Sequence, residues 1–370
     1  MRKGWEYKRW KEVLTIINGK NQSAVVDENG EYPIYGSGGI MGYANNWLCP
    51  ENCVIIGRKG NINKPIFVET KFWNVDTAFG LNANKEYLLP KFLYYFCLDY
   101  NFERHNKAVT IPSLTKADLL KIDIPLPPKS TQLAIVSELD RINELIRLKK
   151  EQLKDFDNLA QSLFYEMFGD PVENEKGWDL KKLDNVCNIT SSKRIFADEY
   201  TNTGIPFYRS KEVIERSKGL PISVELFISE ERYNEIKEKF GVPKIGDILI
   251  TAVGTIGKIW AIDTDNKFYF KDGNLVWLKD IDNQLANSCF FRRLLEYLIE
   301  EYKKTNANGA AYNALTIAKL KLMSCPLPPL SLQRLFAQRI EQIEREKSEV
   351  QKSIQDLETL LASRMQYWFE

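Results

Sequence analysis

The sequence contains one long motif twice, and this internal repeat constrains the fold more than any other feature. The first copy reads L-T-x-A-x-L from Leu114 and P-L-P-P-x-S-x-Q from Pro125. The second copy begins at Leu315 and Pro326, 201 positions later, and reproduces every one of these residues without a gap. The chain is therefore built from two related halves, and each half has to be interpreted as a copy of the other.

Each motif joins two kinds of sequence. A mixed, aromatic-rich region that starts with Gly-Trp, at Gly4 and at Gly177, precedes the motif, and a charged segment of about 40 residues follows it. Proline cannot continue a helix and favours an extended residue before it, so Pro-Leu-Pro-Pro marks the end of a globular domain. We expect a long helix to begin directly afterwards, with Ser130 and Ser331 as the N-caps of the two helices.

Apolar residues in both charged segments recur at alternating steps of four and three, as they do in a coiled coil. The two rows keep the same register relative to their proline motifs, so we predict that the helices pair antiparallel within the chain. At 1.5 Å per residue each helix would be roughly 60 Å long. The alternative is that each helix pairs with a separate partner. The predicted seam consists of Ile142, Ile146, Leu153, Phe156, Ile343, Val350, Ile354 and Leu357.

These patterns predict an α+β fold with two pseudo-repeated globular domains, separated by a pair of long antiparallel coiled-coil helices. The predicted first domain covers residues 1–124 and its helix residues 125–170; the second domain covers residues 171–325 and its helix residues 326–370. Both domains contain a short β-branched run that leads into a glycine turn, which is typical of strand-rich structure.

Composition limits the class of protein. The 44% hydrophobic and 12% aromatic content is typical of a folded chain, and no apolar run approaches the ~18 residues of a membrane span. The chain starts without an apolar stretch of signal-peptide type, so we expect a cytoplasmic protein with no membrane partner. Six cysteines without a C-x-x-C pair predict reduced thiols and no metal site. The 51 basic and 50 acidic residues argue against a protein that holds nucleic acid by charge alone.

The sequence offers no recognisable catalytic machinery. It has no G-x-x-x-x-G-K-[ST] phosphate loop, no G-x-S-x-G elbow and no H-E-x-x-H metal motif. A DNA methyltransferase would need an N/D-P-P-Y/F loop, and the Pro-Pro pairs here follow leucine. The single histidine, His105, lies in a charged run, where we expect a solvated surface position. We therefore predict a non-catalytic chain that binds no cofactor itself.

Two related but non-identical domains suit a ligand with two different half-sites, and double-stranded DNA is the obvious candidate. Arginine and lysine suit guanine edges and phosphates, and asparagine suits adenine. For each such residue an ordinary solvated position is the competing interpretation. The candidate DNA-binding residues are Arg58, Lys59, Asn61, Asn63 and Lys64 in the first domain, and Lys193, Arg194, Arg209, Ser210, Lys211, Thr255 and Lys258 in the second.

The order of these motifs resembles the specificity (S) subunits of type I restriction-modification enzymes, over essentially the whole chain. Besides the Gly-Trp starts and the Leu-Thr and proline motifs, the resemblance rests on five local patterns. These are Y-G-S-G-G from Tyr35, I-G-R-K-G from Ile56, G-I-P-F-x-R from Gly204, G-D-I-L from Gly246 and G-T-I-G from Gly254. Each pattern is weak alone, and their duplicated order is specific.

The resemblance implies two target-recognition domains that each read one half of a bipartite, asymmetric DNA site, with the helices setting the spacer. It also implies two methyltransferase (M) subunits bound through the helices, and nuclease/translocase (R) subunits added for cleavage. S-adenosylmethionine, ATP and Mg would be bound by those partners. Two alternatives stay open: a coiled-coil scaffold protein without sequence-specific DNA binding, and a nuclease or methyltransferase that acts alone. Binding of S-adenosylmethionine by the chain itself would favour the latter.

Overall fold

A computed structural model describes residues 4–106, 111–305 and 314–369 of the chain. The chain forms two compact units, one made of Met1–Leu153 and Glu349–Glu370 and the other of Lys154–Ser348. Each unit therefore combines one globular domain with parts of both long helices. The division between the units falls inside the long helices, whereas the predicted domain limits lie at the helix ends. Those limits therefore stay a prediction.

The globular part of the first unit is strand-rich and ends at the first long helix. Its strands are β1 (Glu6–Arg9), β2 (Leu14–Asn18), β3 (Tyr32–Gly36), β4 (Gly39–Ala44), β5 (Cys53–Gly57), β6 (Ile66–Val68), β7 (Trp73–Asn74), β8 (Ala78–Ala83) and β9 (Asp123–Leu126). Its helices are α1 (Trp10–Val13), α2 (Pro90–Asp99), α3 (Lys116–Leu119) and α4 (Lys129–Phe168), of which α4 continues into the second unit.

Three small sheets organise this domain. Strands β2, β8, β5 and β6 form an antiparallel sheet in that order, whose central strand β5 is buried at all five positions. Strand β3 pairs antiparallel with β4 and parallel with β7, and β1 pairs antiparallel with β9. The last pairing brings the start of the domain against the proline motif that ends it, with Glu6 opposite Leu126.

The second unit repeats this plan with an insertion. Its strands are β10 (Asp179–Lys182), β11 (Asn188–Thr190), β12 (Tyr200–Thr201), β13 (Ile205–Tyr208), β14 (Phe227–Ile228), β15 (Ile248–Thr251), β16 (Ile259–Ala261), β17 (Tyr269–Phe270), β18 (Leu275–Lys279) and β19 (Ser324–Leu327). Its helices are α5 (Ser210–Ser217), α6 (Glu230–Lys239), α7 (Ser288–Thr305), α8 (Ile317–Leu322) and α9 (Leu330–Phe369), and α9 ends within the first unit.

The sheets of the second unit correspond to those of the first. Strands β11, β18, β15 and β16 match β2, β8, β5 and β6, and the pair β10–β19 matches β1–β9. Strand β13 pairs parallel with β17, as β3 does with β7. Asp179 lies opposite Leu327, the counterpart of the pairing between Glu6 and Leu126. The predicted α+β fold with two pseudo-repeated domains is therefore confirmed.

The identical spacing of the motif in its two copies has a structural cause. Leu114 and Leu315 are buried, and the next residue N-caps a short helix. Thr115 accepts the Asp118 N–H at 3.2 Å, and Thr316 accepts the Lys319 N–H at the same distance. An N-cap hydroxyl satisfies one of the free N–H groups at a helix start, and the leucines anchor the segment in the core.

The long helices begin two residues earlier than N-caps at the two serines would predict. Helix α4 starts at Lys129 and α9 at Leu330, so the predicted N-caps Ser130 and Ser331 are wrong: both lie inside the first turn. Instead, the carbonyl of the proline before each helix accepts two N–H groups of the first turn. Pro128 O accepts from Thr131 N at 2.8 Å and from Gln132 N at 3.0 Å. Proline has no backbone N–H of its own, so it adds no further donor that would need an acceptor at the helix start.

Ion pairs between the two long helices show their antiparallel direction inside each unit. In the first unit, Lys150 Nζ lies 2.7 Å from Glu358 Oε1, and Glu138, twelve residues earlier on α4, pairs with Arg364, later on α9. In the second unit, Lys347 Nζ lies 2.7 Å from Asp157 Oδ1, and Phe164, later on α4, contacts Phe336, earlier on α9, with ring centroids 5.7 Å apart. Residues that come later on α4 therefore pair with residues that come earlier on α9.

Most predicted seam residues are buried. Ile142, Ile146, Val350 and Ile354 are buried in the first unit, where Leu153 and Leu357 are half-buried. Ile343 is buried in the second unit, and Phe156 there is half-buried and packs against the core.

The last turn of each long helix packs into a globular core. Phe369, at the end of α9, contacts Phe92 of α2 with ring centroids 5.2 Å apart. Phe168, at the end of α4, contacts Phe290 of α7 at 4.7 Å. Each core is therefore completed by the end of the helix that starts from the other repeat.

One smaller expectation is contradicted by the structure. His105 is half-buried, and its Nε2 lies 2.7 Å from the Tyr100 hydroxyl with the two rings stacked, so the solvated position expected for it is wrong. Within the described ranges, no helix is long and apolar enough to cross a bilayer.

Candidate nucleic-acid interface

In the second unit, several loops meet at one edge of the four-stranded sheet. Strands β11 and β15 end at this edge and β18 begins there, because both pair antiparallel with β18. The loops are residues 191–194, 252–258 and 271–274, which together we call the second loop edge. They are joined by backbone hydrogen bonds, from Ala252 N to Asn274 O at 2.8 Å and from Leu315 N to Ala252 O at 3.0 Å.

Four of the predicted DNA-binding residues lie on the second loop edge. Lys193 is fixed through its backbone, whose N–H donates to the Tyr269 hydroxyl at 2.6 Å, and its side chain is exposed. Arg194 Nε donates to Asp272 Oδ2 at 2.8 Å. Thr255 is exposed, and Lys258 is half-buried.

One buried hydroxyl holds the turn that carries Thr255 and Lys258. The Thr251 hydroxyl donates to Thr255 O at 2.5 Å and accepts the Lys258 N–H at 2.9 Å. Gly254 has a φ of +73°, which favours glycine at this point of the turn. The turn is therefore held in place by its own strand, without help from the side chains of Thr255 and Lys258.

Arg209, Ser210 and Lys211 follow the end of β13 and belong to a separate group. Strand β13 ends beside β17, and Lys271 N donates to Tyr208 O at 2.9 Å, so this group adjoins the second loop edge. The Ser210 Oγ is buried and has no hydrogen-bond partner within the described part of the chain.

The charges of this group are largely balanced by two glutamates. Glu225 lies 2.6 Å from Lys211 Nζ and 2.8 Å from Arg209 Nη2. The buried Glu212 accepts from the Arg209 N–H at 2.7 Å and from Nη2 at 3.0 Å. Hydrogen bonds from Lys211 and then Arg209 lower the pKa of Glu225 to about 2, so it stays ionised near neutral pH. These two cations are therefore less available to phosphate than their exposure suggests.

The first unit has a corresponding edge on the sheet of β2, β8 and β5. Its loops are residues 19–20, 58–61 and 75–77, which we call the first loop edge. Arg58 N donates to Thr77 O at 2.8 Å and Leu114 N donates to Arg58 O at 2.9 Å, which reproduce the two backbone hydrogen bonds of Ala252. Gly60 has a φ of +78°, matching Gly254 in the second edge.

Three of the five candidates of the first domain lie on the first loop edge. Arg58, Lys59 and Asn61 are exposed there, and the Arg58 guanidinium reaches Asp76 O at 3.5 Å. Asn63 and Lys64 lie just beyond it. Both side chains are exposed. The Asn63 Oδ1 accepts the Phe102 N–H at 2.8 Å, so this amide oxygen already has a partner within the domain.

The structure adds residues that a search for basic and amide side chains did not select. Asp272 and Lys271 lie on the second loop edge, and Lys20 lies on the first, where it is exposed. Asp272 was missed because an acidic residue carries no signal for phosphate binding. Its signal lies in the repeat: it precedes β18 by the same three residues that separate Val75 from β8.

The cysteines lie inside the domain cores. All six are unpaired, and five of them are buried. Burial raises the pKa of Cys53 to about 12, which disfavours the thiolate form needed for metal binding or nucleophilic attack. Among the described residues, no group of three or more His, Cys, Asp or Glu side chains is placed to hold a metal ion.

Comparison with known families decides the class of this protein. The sequence model for the type I restriction modification DNA specificity domain matches residues 2–155 and again residues 175–359. The chain belongs to this family. The two matches coincide with the two structural repeats, so this type I specificity subunit has two target-recognition domains.

Individual relatives match this chain over most of their length. A Haemophilus influenzae protein described provisionally as a type I restriction enzyme specificity subunit is 28% identical over 353 residues, which cover 92% of this chain and 87% of the relative. The type I restriction enzyme MjaIX specificity subunit of Methanocaldococcus jannaschii is 23% identical over 402 residues, covering 97% and 91%.

Solved structures show the same fold at low sequence identity. A chain from a study of complex assembly and conformational transition in the type I R-M system superposes with a TM-score of 0.66 at 20% identity, over 99% of this chain and 97% of that one. The S subunit of a type I restriction-modification system from M. genitalium has a TM-score of 0.56 at 17% identity, over 99% and 96%.

Proposed function

We propose that this chain is the DNA sequence-recognition subunit of a type I restriction-modification complex, and that its two domains read the two halves of a bipartite, asymmetric site. The observation that carries the proposal is the presence of two complete copies of the specificity domain, each with its own exposed loop edge. The edges differ in sequence, so the two half-sites differ as well.

The chain contributes recognition and the partners contribute chemistry. It binds double-stranded DNA in a complex with two methyltransferase subunits, docked on the long helices, and with nuclease/translocase subunits that join for cleavage. S-adenosylmethionine, ATP and Mg are bound by those partners, and the complex acts in the cytoplasm. The net charge of +1 supports this division, because a chain with so little net charge needs partner surfaces to hold much of the DNA backbone.

A domain exchange tests the proposal. Residues 1–124 are replaced by the equivalent domain of a relative, and the variant is produced with its methyltransferase partner in cells that lack other DNA methylation. Sequencing of methylated sites is expected to show one new half-site, one retained half-site and an unchanged spacer. A change in both halves would contradict independent reading by the two domains, and methylation without any bipartite site would contradict the proposal as a whole.

A second version of this exchange is needed because residues outside 1–124 pack against the core of the first domain. That core includes side chains from the end of α9, among them Leu361, Met365, Trp368 and Phe369. We expect the chimaera to fold better when the donor also supplies residues 361–369. The aromatic side chains that contact each other on α2 and at the end of α9 then both come from the donor protein. Comparison of the two chimaeras separates a folding failure from a failure of recognition.

A further inference from the structure

We propose that Arg194 reads a guanine in the half-site of the second domain, and that Asp272 is the positioning residue that aims it. This inference rests on the proposed function, since it names the side chain through which one half-site is distinguished. Arg209 and Lys211, beside the second loop edge, differ from Arg194 because carboxylates hold their terminal nitrogens.

The hydrogen bond between the two side chains leaves the guanidinium fork free. Arg194 Nε donates to Asp272 Oδ2 at 2.8 Å, and within the described residues neither Nη atom has a hydrogen-bond partner. The Arg194 side chain is 66% exposed, whereas that of Asp272 is 17% exposed. The base of the fork is therefore held at the surface of the fold while its two outer nitrogens face solvent. Guanine presents O6 and N7 in the major groove, which two such nitrogens can contact together.

Both residues are fixed by the backbone around them. Lys193 N, directly before Arg194, donates to the buried Tyr269 hydroxyl, and Ile195, directly after it, is buried. Asp272 follows Lys271, whose N–H donates to Tyr208 O at 2.9 Å. An arginine held in this way loses less side-chain entropy when it binds, so more of the contact energy appears as discrimination between bases.

A recess beside the pair offers room for a base edge. Arg194 and Asp272 line a cavity of about 370 Å³ together with Ser192, Val253 and Thr316. The Ser192 hydroxyl is buried and, in the part of the chain that the structure describes, has no hydrogen-bond partner. The fixed cation therefore lies at the mouth of a recess, where its exposed nitrogens can meet the polar edge of a base pair.

Two other basic residues nearby are already paired with carboxylates. Arg209 and Lys211 are paired with Glu225, and Arg209 is also bonded to the buried Glu212. In these pairs the carboxylates engage the terminal nitrogens that would contact a base, whereas Asp272 engages Arg194 only through Nε. Of Arg194 and Arg209, Arg194 is therefore the arginine whose outer nitrogens are left free by its carboxylate partner.

The first domain has no such pair at the corresponding place. Counting from the matched strands, Asn21 corresponds to Arg194 and Val75 to Asp272. Arg58 approaches the first loop edge from a different loop, at the end of β5. Reading by Arg194 is therefore specific to the second half-site.

The test uses the specificity chain assembled with its methyltransferase partner. Competition binding is measured on a panel of duplexes in which each base pair of the second half-site is changed in turn. Wild-type complex is expected to discriminate against loss of one G·C pair, and R194A to lose that discrimination by about 5- to 150-fold, the range for a good bidentate contact. R194K keeps the charge without the planar fork and is expected to lose only part of that discrimination. D272N is expected to lose part of it. K218A removes one exposed charge from the same domain and is expected to keep the wild-type preference.

A modified base distinguishes base reading from charge. Replacing the guanine by 7-deazaguanine removes the N7 acceptor, so it should weaken binding by wild type and not by R194A, which has no donor left at this position. A double-mutant cycle measures this coupling. If R194A and R194K weaken all duplexes equally, Arg194 acts on the backbone and the inference is overturned. If both keep the wild-type preference, Arg194 does not read a base and the inference is likewise overturned, while the bipartite site of the wild-type complex still stands. Loss of the bipartite site in wild type would reject the proposed function itself.

Discussion

Gln132 and Gln333 show how single residues of the repeat join the long helices to the domains. Both are buried, and each side chain makes three hydrogen bonds to backbone groups. Gln132 Oε1 accepts from Leu89 N at 2.9 Å, and its Nε2 donates to Tyr87 O and Pro127 O. Gln333 makes the corresponding three bonds. The glutamine that ends the motif therefore connects three parts of each repeat: the Pro-Leu-Pro-Pro segment, the residues just before α2 or α7, and the first turn of α4 or α9.

Replacement of Gln132 by Met is expected to destabilise the first unit. Methionine keeps the length of the side chain and leaves one backbone N–H and two carbonyls without their buried partner, at about 1–3 kcal/mol for each group that stays unsatisfied. Urea unfolding of the full chain measures the loss. Gln161→Met, at an exposed position on the same helix, is the control and should change stability by less than about 0.5 kcal/mol. Equal effects of the two substitutions would contradict the assigned role.

Glu225 gives the second domain a pH dependence with a definite sign. Its ion pairs with Lys211 and Arg209 lower the folded pKa from 4.5 to about 2, so they stabilise the fold above pH 4.5 and this contribution is lost as the pH falls through about 2. We expect Glu225→Gln to lower the melting temperature at pH 7, and the difference from wild type to shrink between pH 4.5 and pH 2. Circular dichroism at a series of pH values measures it. Glu238→Gln, at an exposed position on α6, should show no such trend.

At the scale of elements, each long helix is continuous through the boundary between the units, which lies after Leu153 on α4. A charged residue interrupts the apolar row of each helix. Lys149 is half-buried and bonds to Gln152, and Lys347 pairs with Asp157. The seam therefore contains polar contacts near its middle. An insertion there lies away from the helix ends, which contact the globular domains.

An insertion of four residues between Lys149 and Gln152 tests whether the helices set the spacer. Four residues add about 6 Å and rotate the following turns by about 40°. Base pairs are stacked ~3.4 Å apart, so we expect a spacer longer by one or two base pairs, with both half-sites unchanged. Some of the displacement is absorbed as the seam finds a new register. Sequencing of methylated sites in cells that carry the variant provides the readout.

The matched control places the same four residues between Asp265 and Asn266, at an exposed loop within the second domain. This insertion changes no helix length, so the spacer should be unchanged. If the helix insertion yields an active protein with the original spacer, the spacing is determined by the methyltransferase subunits instead.

At the scale of the whole molecule, the main expectation is dependence on partners. Net charge is close to zero, and two of the candidate DNA-binding cations are paired with Glu225. We expect the isolated chain to bind duplex DNA weakly and to transfer no methyl group from S-adenosylmethionine, and the complex with its methyltransferase partner to select one bipartite site. Methyl-transfer assays with and without the partner measure this. Robust transfer by the purified chain alone would end the non-catalytic interpretation.

The sequence alone determined the duplicated architecture, the long helices and their apolar seam. These follow from local information: a repeat is visible at a constant offset, proline ends a helix by its own covalent geometry, and the spacing of apolar residues reflects 3.6 residues per turn. The Leu-Thr motif likewise encodes its own cap and its own buried leucines. None of these inferences requires knowledge of which distant segments meet.

Only the tertiary structure decided how the candidate site residues are used. Arg194 and Asp272 are 78 residues apart, and Arg209 and Glu225 are 16 apart, so their pairing depends on the path of the chain between them. The same holds for the core of the first domain, which is completed by Phe369 at the far end of the sequence. Contacts of this kind arise from the packing of separate elements and leave no periodic pattern along the chain. A list of basic residues therefore could not distinguish a cation that faces solvent from one already paired with a carboxylate.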